Sequence, residues 1–237
     1  MKDVQSNSES KRFVATAAVG LVQDGMTIGM GTGSTIALLI EELALRVRAE
    51  GLKVIAVPTS FQSRISCLKL GIAVRDMQDS ASVDLAIDGA DEVDPGLNLI
   101  KGGGGSHTLE KIVARMAKEF VVTVDESKLV PRLGTTFAVP IEVLSAARSY
   151  VERSLRDLGG EPVLRMALRK DGPVVTDNGQ LIYDTRFPAT ADLRAIDRLL
   201  REIPGIIETG LFFDTASKVL VGCGTTGNLS LRTLTKT

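Results

Sequence analysis

Apolar residues recur at helical spacing over residues 11–23 (Phe13, Val14, Ala17, Ala18, Leu21, Val22), and Asp24-Gly25 supplies a stop. The ten residues before this repeat are polar and predict a frayed start. Residues 26–30 form a short apolar run, followed at once by Gly31-Thr32-Gly33-Ser34-Thr35 and an amphipathic stretch to about residue 49. That order predicts strand, tight glycine loop, helix. The alternation continues, with strands predicted at 52–57, 72–74, 83–87 and 120–124 and helices at 60–70 and 108–118. Short β-branched runs between amphipathic helices predict an α/β fold, a Rossmann-like, mostly parallel sheet with helices on both faces.

After about Lys128 the pattern changes. Helices are predicted at 147–157 and 191–201, and strands at 161–169, 180–184 and 206–210. Strands joined through a turn-rich segment and flanked by helices predict a small α+β, ferredoxin-like second domain with an antiparallel sheet. The apolar run at 219–221 could rejoin the first sheet. The expected division is therefore 1–130 with 211–237 as one domain, and 131–210 as the other.

Composition narrows the partners. The chain carries 28 basic and 29 acidic residues, so no basic excess points to nucleic acid. No apolar run reaches the length of about 18 residues that spans a bilayer. The start, MKDVQSNSES, lacks the apolar stretch of a signal peptide. Cys67 and Cys223 stand far apart with no CxxC spacing, which suits reduced thiols in a cytoplasmic protein.

Several segments could carry chemistry. Gly31-Thr32-Gly33-Ser34-Thr35 opens a helix after a strand, where free N–H groups and the helix dipole favour a phosphate. It lacks the Lys of a Walker loop and the third glycine of a dinucleotide loop, and Ser34 or Thr35 could equally be a plain helix cap. Pro58-Thr59-Ser60 is placed alike and could lend hydroxyls or simply cap. Asp88-Gly89-Ala90-Asp91-Glu92-Val93-Asp94 follows a strand, at the edge where parallel sheets bind ligands. Crowded carboxylates suit acid/base work, although a solvated turn or a divalent-cation site would use the same residues. Lys101-Gly102-Gly103-Gly104-Gly105 sets a cation before four glycines, a costly run to order unless backbone must approach something closely. Glu110 falls in the first turns of the next helix as a candidate base or an ordinary helix-start Glu, and His107, the single histidine, as a cap or a site contact.

Together these segments resemble ribose-5-phosphate isomerase of the A type. The resemblance rests on Gly31 to Thr35, Asp88-Gly89-Ala90-Asp91-Glu92, Lys101-Gly102-Gly103-Gly104, Glu110-Lys111 and Ser127-Lys128. It extends to Pro140-Ile141-Glu142-Val143, residues 174–179 and Pro204-Gly205-Ile206, and covers about residues 11–227. The sequence departs from the family pattern at Gly105-Ser106-His107 and at Leu109. The resemblance implies an enediolate isomerisation between D-ribose 5-phosphate and D-ribulose 5-phosphate, in the non-oxidative pentose phosphate pathway, with no metal and no cofactor. It implies Glu110 as base, Asp88 and Asp91 as proton-handling carboxylates and Lys101 as charge stabiliser. Gly31, Thr32, Gly33, Ser34, Thr35, Gly89, Gly102, Gly103, Gly104 and Lys128 would contact substrate, with the phosphate at either glycine segment. It also implies a homo-oligomer, a dimer or a dimer of dimers. A sugar-phosphate sensor, an amino-sugar phosphate deaminase and a CoA transferase are the alternatives on related folds. The chain lacks a helix-turn-helix for the first, and the Lys101 to Glu110 spacing argues against the others.

Overall fold

The polar beginning of the chain is helical. In the computed structural model, which describes residues 2–225 and 227–236 and side chains from Glu9 onward, α1 (Lys2–Val19) starts well before the apolar repeat. β1 (Thr27–Met30) leads into α2 (Ser34–Glu50), and β2 (Ile55–Pro58) into α3 (Phe61–Lys69). β3 (Ala73–Val74) and β4 (Val83–Asp88) follow, then two short strands, β5 (Glu92–Val93) and β6 (Leu99–Ile100). α4 (His107–Met116) runs directly into the long β7 (Ala117–Asp125). Next come β8 (Val139–Val143), α5 (Arg148–Asp157), β9 (Glu161–Leu164), β10 (Leu181–Arg186), α6 (Leu193–Arg201) and β11 (Ile206–Thr209). β12 (Leu211–Phe212) precedes a closing antiparallel pair, β13 (Lys218–Thr225) and β14 (Asn228–Thr235).

The chain divides into two units: Met1–Ala90, Leu109–Leu129 and Asp214–Thr237 form the first, and Asp91–Thr108 with Val130–Phe213 the second. Residues 91–108 thus group with the second unit, whereas the sequence pattern assigned them to the first. The reason is pairing: β5 bonds to β6 and β6 to β12, and none of the three joins the large sheet.

The first unit holds a seven-stranded sheet in the order β14-β13-β7-β4-β1-β2-β3, parallel except for β14. The run at 219–221 does rejoin it, as the middle of β13. Its core includes Ile28, Met30, Leu39, Leu43, Ile87 and Val121. From β1 the chain proceeds to β2 and β3 on one side and then returns to β4 on the other. This reversal makes the carboxyl ends of β1 and β4 a topological switch point, where open α/β sheets bind ligands.

The second unit follows the order β8-α5-β9-β10-α6-β11, with an antiparallel sheet arranged β11-β8-β10-β9. That is the ferredoxin-like split βαβ arrangement, cored by Ile141, Val151, Leu155, Tyr183 and Leu200. The expected strand at 161–169 stops at Leu164, leaving Met166 with only an isolated bridge to Pro173. α6 starts at Leu193, not 191, because the Asp192 carboxylate caps the N–H groups of Arg194 and Ala195.

Candidate active site

The first unit gathers its contribution around Asp88. This residue closes β4 and is 3% exposed. Its Oδ1 accepts N–H hydrogen bonds from Gly89 (2.7 Å) and Thr32 (3.1 Å), which fixes the carboxylate against the loop that follows β1. Gly31 has to be glycine: a Cβ there would lie 2.1 Å from the Asp88 Cγ. The Thr32 hydroxyl lies 3.0 Å from that of Thr59 and 2.8 Å from that of Ser60. The segment after β2 does cap a helix, as its sequence allowed. Ser60 caps α3 by accepting from the Ser63 N–H, and Thr59 and Ser60 bring hydroxyls to Thr32.

The plain-cap reading of Ser34 and Thr35 is not what forms. The N-cap of α2 is Gly33, at φ 102°, and no side chain caps the helix. The helix start keeps backbone donors of the kind that hold an anion. The exposed Ser34 hydroxyl meets Lys11 Nζ at 3.1 Å, and Gln62 Oε1 accepts from the Gly33 N–H. Neither Lys11 nor Gln62 was legible as a neighbour of this loop, since only the packing of α1 and α3 brings them there.

Glu110 lies in the first turn of α4 and is 6% exposed. The helix returns the chain from the edge where β4 ends to the start of β7, parallel to β4, so its N-terminal turn belongs at the carboxyl edge of the sheet. Val113, one turn on, packs over Gly29 of β1 so closely that a Cβ at Gly29 would fall 2.2 Å from its Cγ1. Lys128 ends the short 3-10 turn after β7, half-buried, beyond the same edge.

In the second unit, Asp91 Oδ2 accepts the Gly103 N–H at 2.8 Å, joining the carboxylate to the glycine run. Lys101 is 2% exposed, with Nζ 5.6 Å from the Phe212 ring centre. Gly102, at φ 111°, leaves no room for a side chain, because a Cβ would come 2.7 Å from His107 Nδ1. His107 is fully buried, with Nε2 3.2 Å from the Glu208 carbonyl. It packs the glycine loop rather than facing solvent.

The carboxylates of residues 88–94 are held by different partners. Glu92, fully buried, is taken up by the N–H groups of Gly134, Thr136 and Phe137 and the Thr136 hydroxyl. Asp94 caps its own turn through Asn98. Only Asp88 and Asp91 remain as candidates for chemistry. Among the described residues no group of three His, Cys, Asp or Glu could hold a metal ion. Cys67 is buried, and burial pushes its thiol up to about 12, so it is no nucleophile at neutral pH.

Three comparisons bear on these residues. Residues 55–226 match the model of ribose 5-phosphate isomerase A (phosphoriboisomerase A). The chain is 51% identical to ribose-5-phosphate isomerase A of Thermosynechococcus vestitus over 90% of its own length and 91% of the relative's. It superposes on ribose 5-phosphate isomerase A of Methanocaldococcus jannaschii with a TM-score of 0.90 and 48% identity, covering 98% of this chain and 100% of that one. A D-ribose-5-phosphate isomerase in complex with phospho-erythronic acid gives a TM-score of 0.90 at 40% identity, over 96% and 98% of the two chains.

Proposed function

The chain belongs to the ribose 5-phosphate isomerase A family, and from that premise we propose how its residues divide the reaction. The reaction is the interconversion of D-ribose 5-phosphate and D-ribulose 5-phosphate. In the open-chain aldose, Glu110 takes the proton from C2 and leaves an enediolate. Returned to C1, that proton completes the ketose, while O2 loses its hydroxyl proton and O1 gains one. Asp88 helps open the ring or moves hydroxyl protons, a role shared with Asp91. The Lys101 ammonium offsets charge developing on the two oxygens. Gly31, Thr32, Gly33, Ser34, Thr35 and Gly89 hold substrate, with Gly102, Gly103, Gly104 and Lys128. The observation that carries this reading is the Asp88 carboxylate, buried and fixed by two N–H groups at the switch point of the large sheet.

The test is a coupled assay that follows ribulose 5-phosphate formed from ribose 5-phosphate. Turnover is expected, and EDTA is expected to leave the rate unchanged, because we assign no step to a metal or redox cofactor. Tight binding without turnover would favour a sensor, and loss of rate in chelator would restore the divalent cation. Gly31→Ala is expected to push Asp88 off its donors and lower kcat/KM by about tenfold or more, since small misplacements of a reacting group are costly. An unchanged kcat/KM in that variant would remove Asp88 from the chemistry.

We also propose a cytoplasmic homo-oligomer with the second unit at its interface. Two free cysteines support the compartment, and among the described residues no helix is long and apolar enough to cross a membrane. Val163, Met166 and Leu168 of the second unit are 65%, 57% and 102% exposed, which supports burial against another copy. Light scattering is expected to give at least twice the chain mass.

A further inference from the structure

Arg165 follows β9 and belongs to no motif in the sequence, yet it holds the glycine run. Its side chain is 15% exposed. Nε donates to Asp184 Oδ2 at 2.8 Å and Nη2 to Asp184 Oδ1, a planar fork onto one carboxylate of β10. The remaining nitrogen, Nη1, donates to the carbonyls of Gly102 (2.9 Å) and Gly103 (3.1 Å).

A trans peptide points its C=O and N–H in opposite directions. The peptide joining Gly102 to Gly103 is thus held at both ends, its carbonyl by Arg165 and its N–H by Asp91 at 2.8 Å. The next peptide has its carbonyl on Arg165, so the Gly104 N–H faces away from the guanidinium. No acceptor for that N–H is found among the described residues. The run also folds on itself through Gly105 N–H to the Gly102 carbonyl at 3.0 Å. Glycines lose the most freedom on ordering, and here one cation fixes two successive peptides.

We propose that Arg165, set by Asp184, is a positioning residue that aims the Gly104 N–H at an anionic oxygen of the substrate and steadies Asp91 through Gly103. This rests on the reading above that residues 102–104 bind the sugar phosphate. Arg165 touches no substrate itself. Lysine cannot replace it, since one ammonium cannot keep the fork on Asp184 and reach both carbonyls.

The test compares Arg165→Met, Arg165→Lys and the double variant Arg165→Met/Asp184→Asn. Steady-state kinetics with ribose 5-phosphate, calorimetric binding of phospho-erythronic acid and a thermal melt are measured on each. Arg165→Met is expected to raise KM and the dissociation constant of the acid about tenfold, the size of one lost hydrogen bond to an anion. Its kcat should fall less, by about threefold, and Arg165→Lys should recover less than half of the loss of affinity. Arg165→Met also strands the Asp184 charge, and the double variant removes that charge. The double variant is therefore expected to regain melting temperature while KM and the dissociation constant stay raised. Recovery of both with stability would overturn the proposal, leaving Arg165 a purely structural ion pair. So would a folded Arg165→Met with wild-type affinity. Turnover by the wild type tests the isomerase reading separately, and binding of phospho-erythronic acid decides this proposal whatever that result.

Discussion

Replacing Glu110 with glutamine is expected to lower kcat by at least about two orders of magnitude while leaving KM within about threefold. Glutamine keeps the size and the hydrogen-bonding shape of the side chain and removes only its ability to take a proton. A positioned base contributes roughly 10²–10⁴ in rate, and each factor of ten corresponds to about 1.4 kcal/mol of barrier. The expected loss is then about 3–5 kcal/mol in the transition state with little change in ground-state binding. Glu110 is 6% exposed in the first turn of α4, so its carboxylate also has the favourable end of the helix dipole. That dipole contribution is about 0.3–1 kcal/mol, too small to unfold the protein and too small to account for a hundredfold loss of rate. Deuterium exchange from solvent into C1 or C2 should fall with turnover. Near-normal kcat, or normal exchange, would take Glu110 out of the role of base.

Glu92→Ala is expected to cost about 3 kcal/mol or more of folding stability, with little change in KM for the molecules that stay folded. Glu92 is 0% exposed and accepts from the N–H groups of Gly134 (2.6 Å), Thr136 and Phe137 (2.7 Å) and from the Thr136 hydroxyl (2.7 Å). A buried donor left unpaired costs about 1–3 kcal/mol, and alanine strands three backbone donors at once. Glu92→Gln should fall between, because its amide NH2 would face another donor. Asp94→Ala offers the contrast. Asp94 closes a half-buried turn through Asn98, and its loss is expected to cost about 1 kcal/mol. Denaturant titration gives these differences directly. A cost below about 1 kcal/mol for Glu92→Ala would mean that the loop at 134–137 finds other acceptors.

Pro140 shows why part of the fold was hidden in the sequence. A proline lacks a ladder donor and argues against a central strand, so residues 139–143 did not read as one. In the structure β8 is central, pairing with β10 and β11, and Pro140 falls beyond the last β11 residue, Thr209, which lies opposite Ile141. The Pro140 carbonyl still accepts the Gly210 N–H at 2.6 Å, and the Gly210 carbonyl, which a proline cannot bond, takes the Lys101 N–H at 2.9 Å instead. Strands β5 and β6 were missed for a different reason. With two residues each they are too short to show a period, and they exist because β5 pairs with β6 and β6 with β12.

The sequence by itself determined the alternation of buried strands and amphipathic helices, the placing of glycines and charges at strand ends, and hence the α/β class and the identity of the candidate residues. Those are local properties, set by periodicity and by what a glycine or a carboxylate can do within a few residues of its neighbours. The tertiary structure decided which of the adjacent carboxylates stay available. Asp88 is locked beside Thr32, Asp91 is tied to Gly103, and Glu92, next to Asp91 in sequence, is consumed by a loop more than forty residues away. It also brought Arg165 to Gly102 and Gly103 across more than sixty residues. Hydrogen-bond partners for buried charges are found through strand pairing and packing, and no local pattern encodes which distant N–H or carbonyl will arrive.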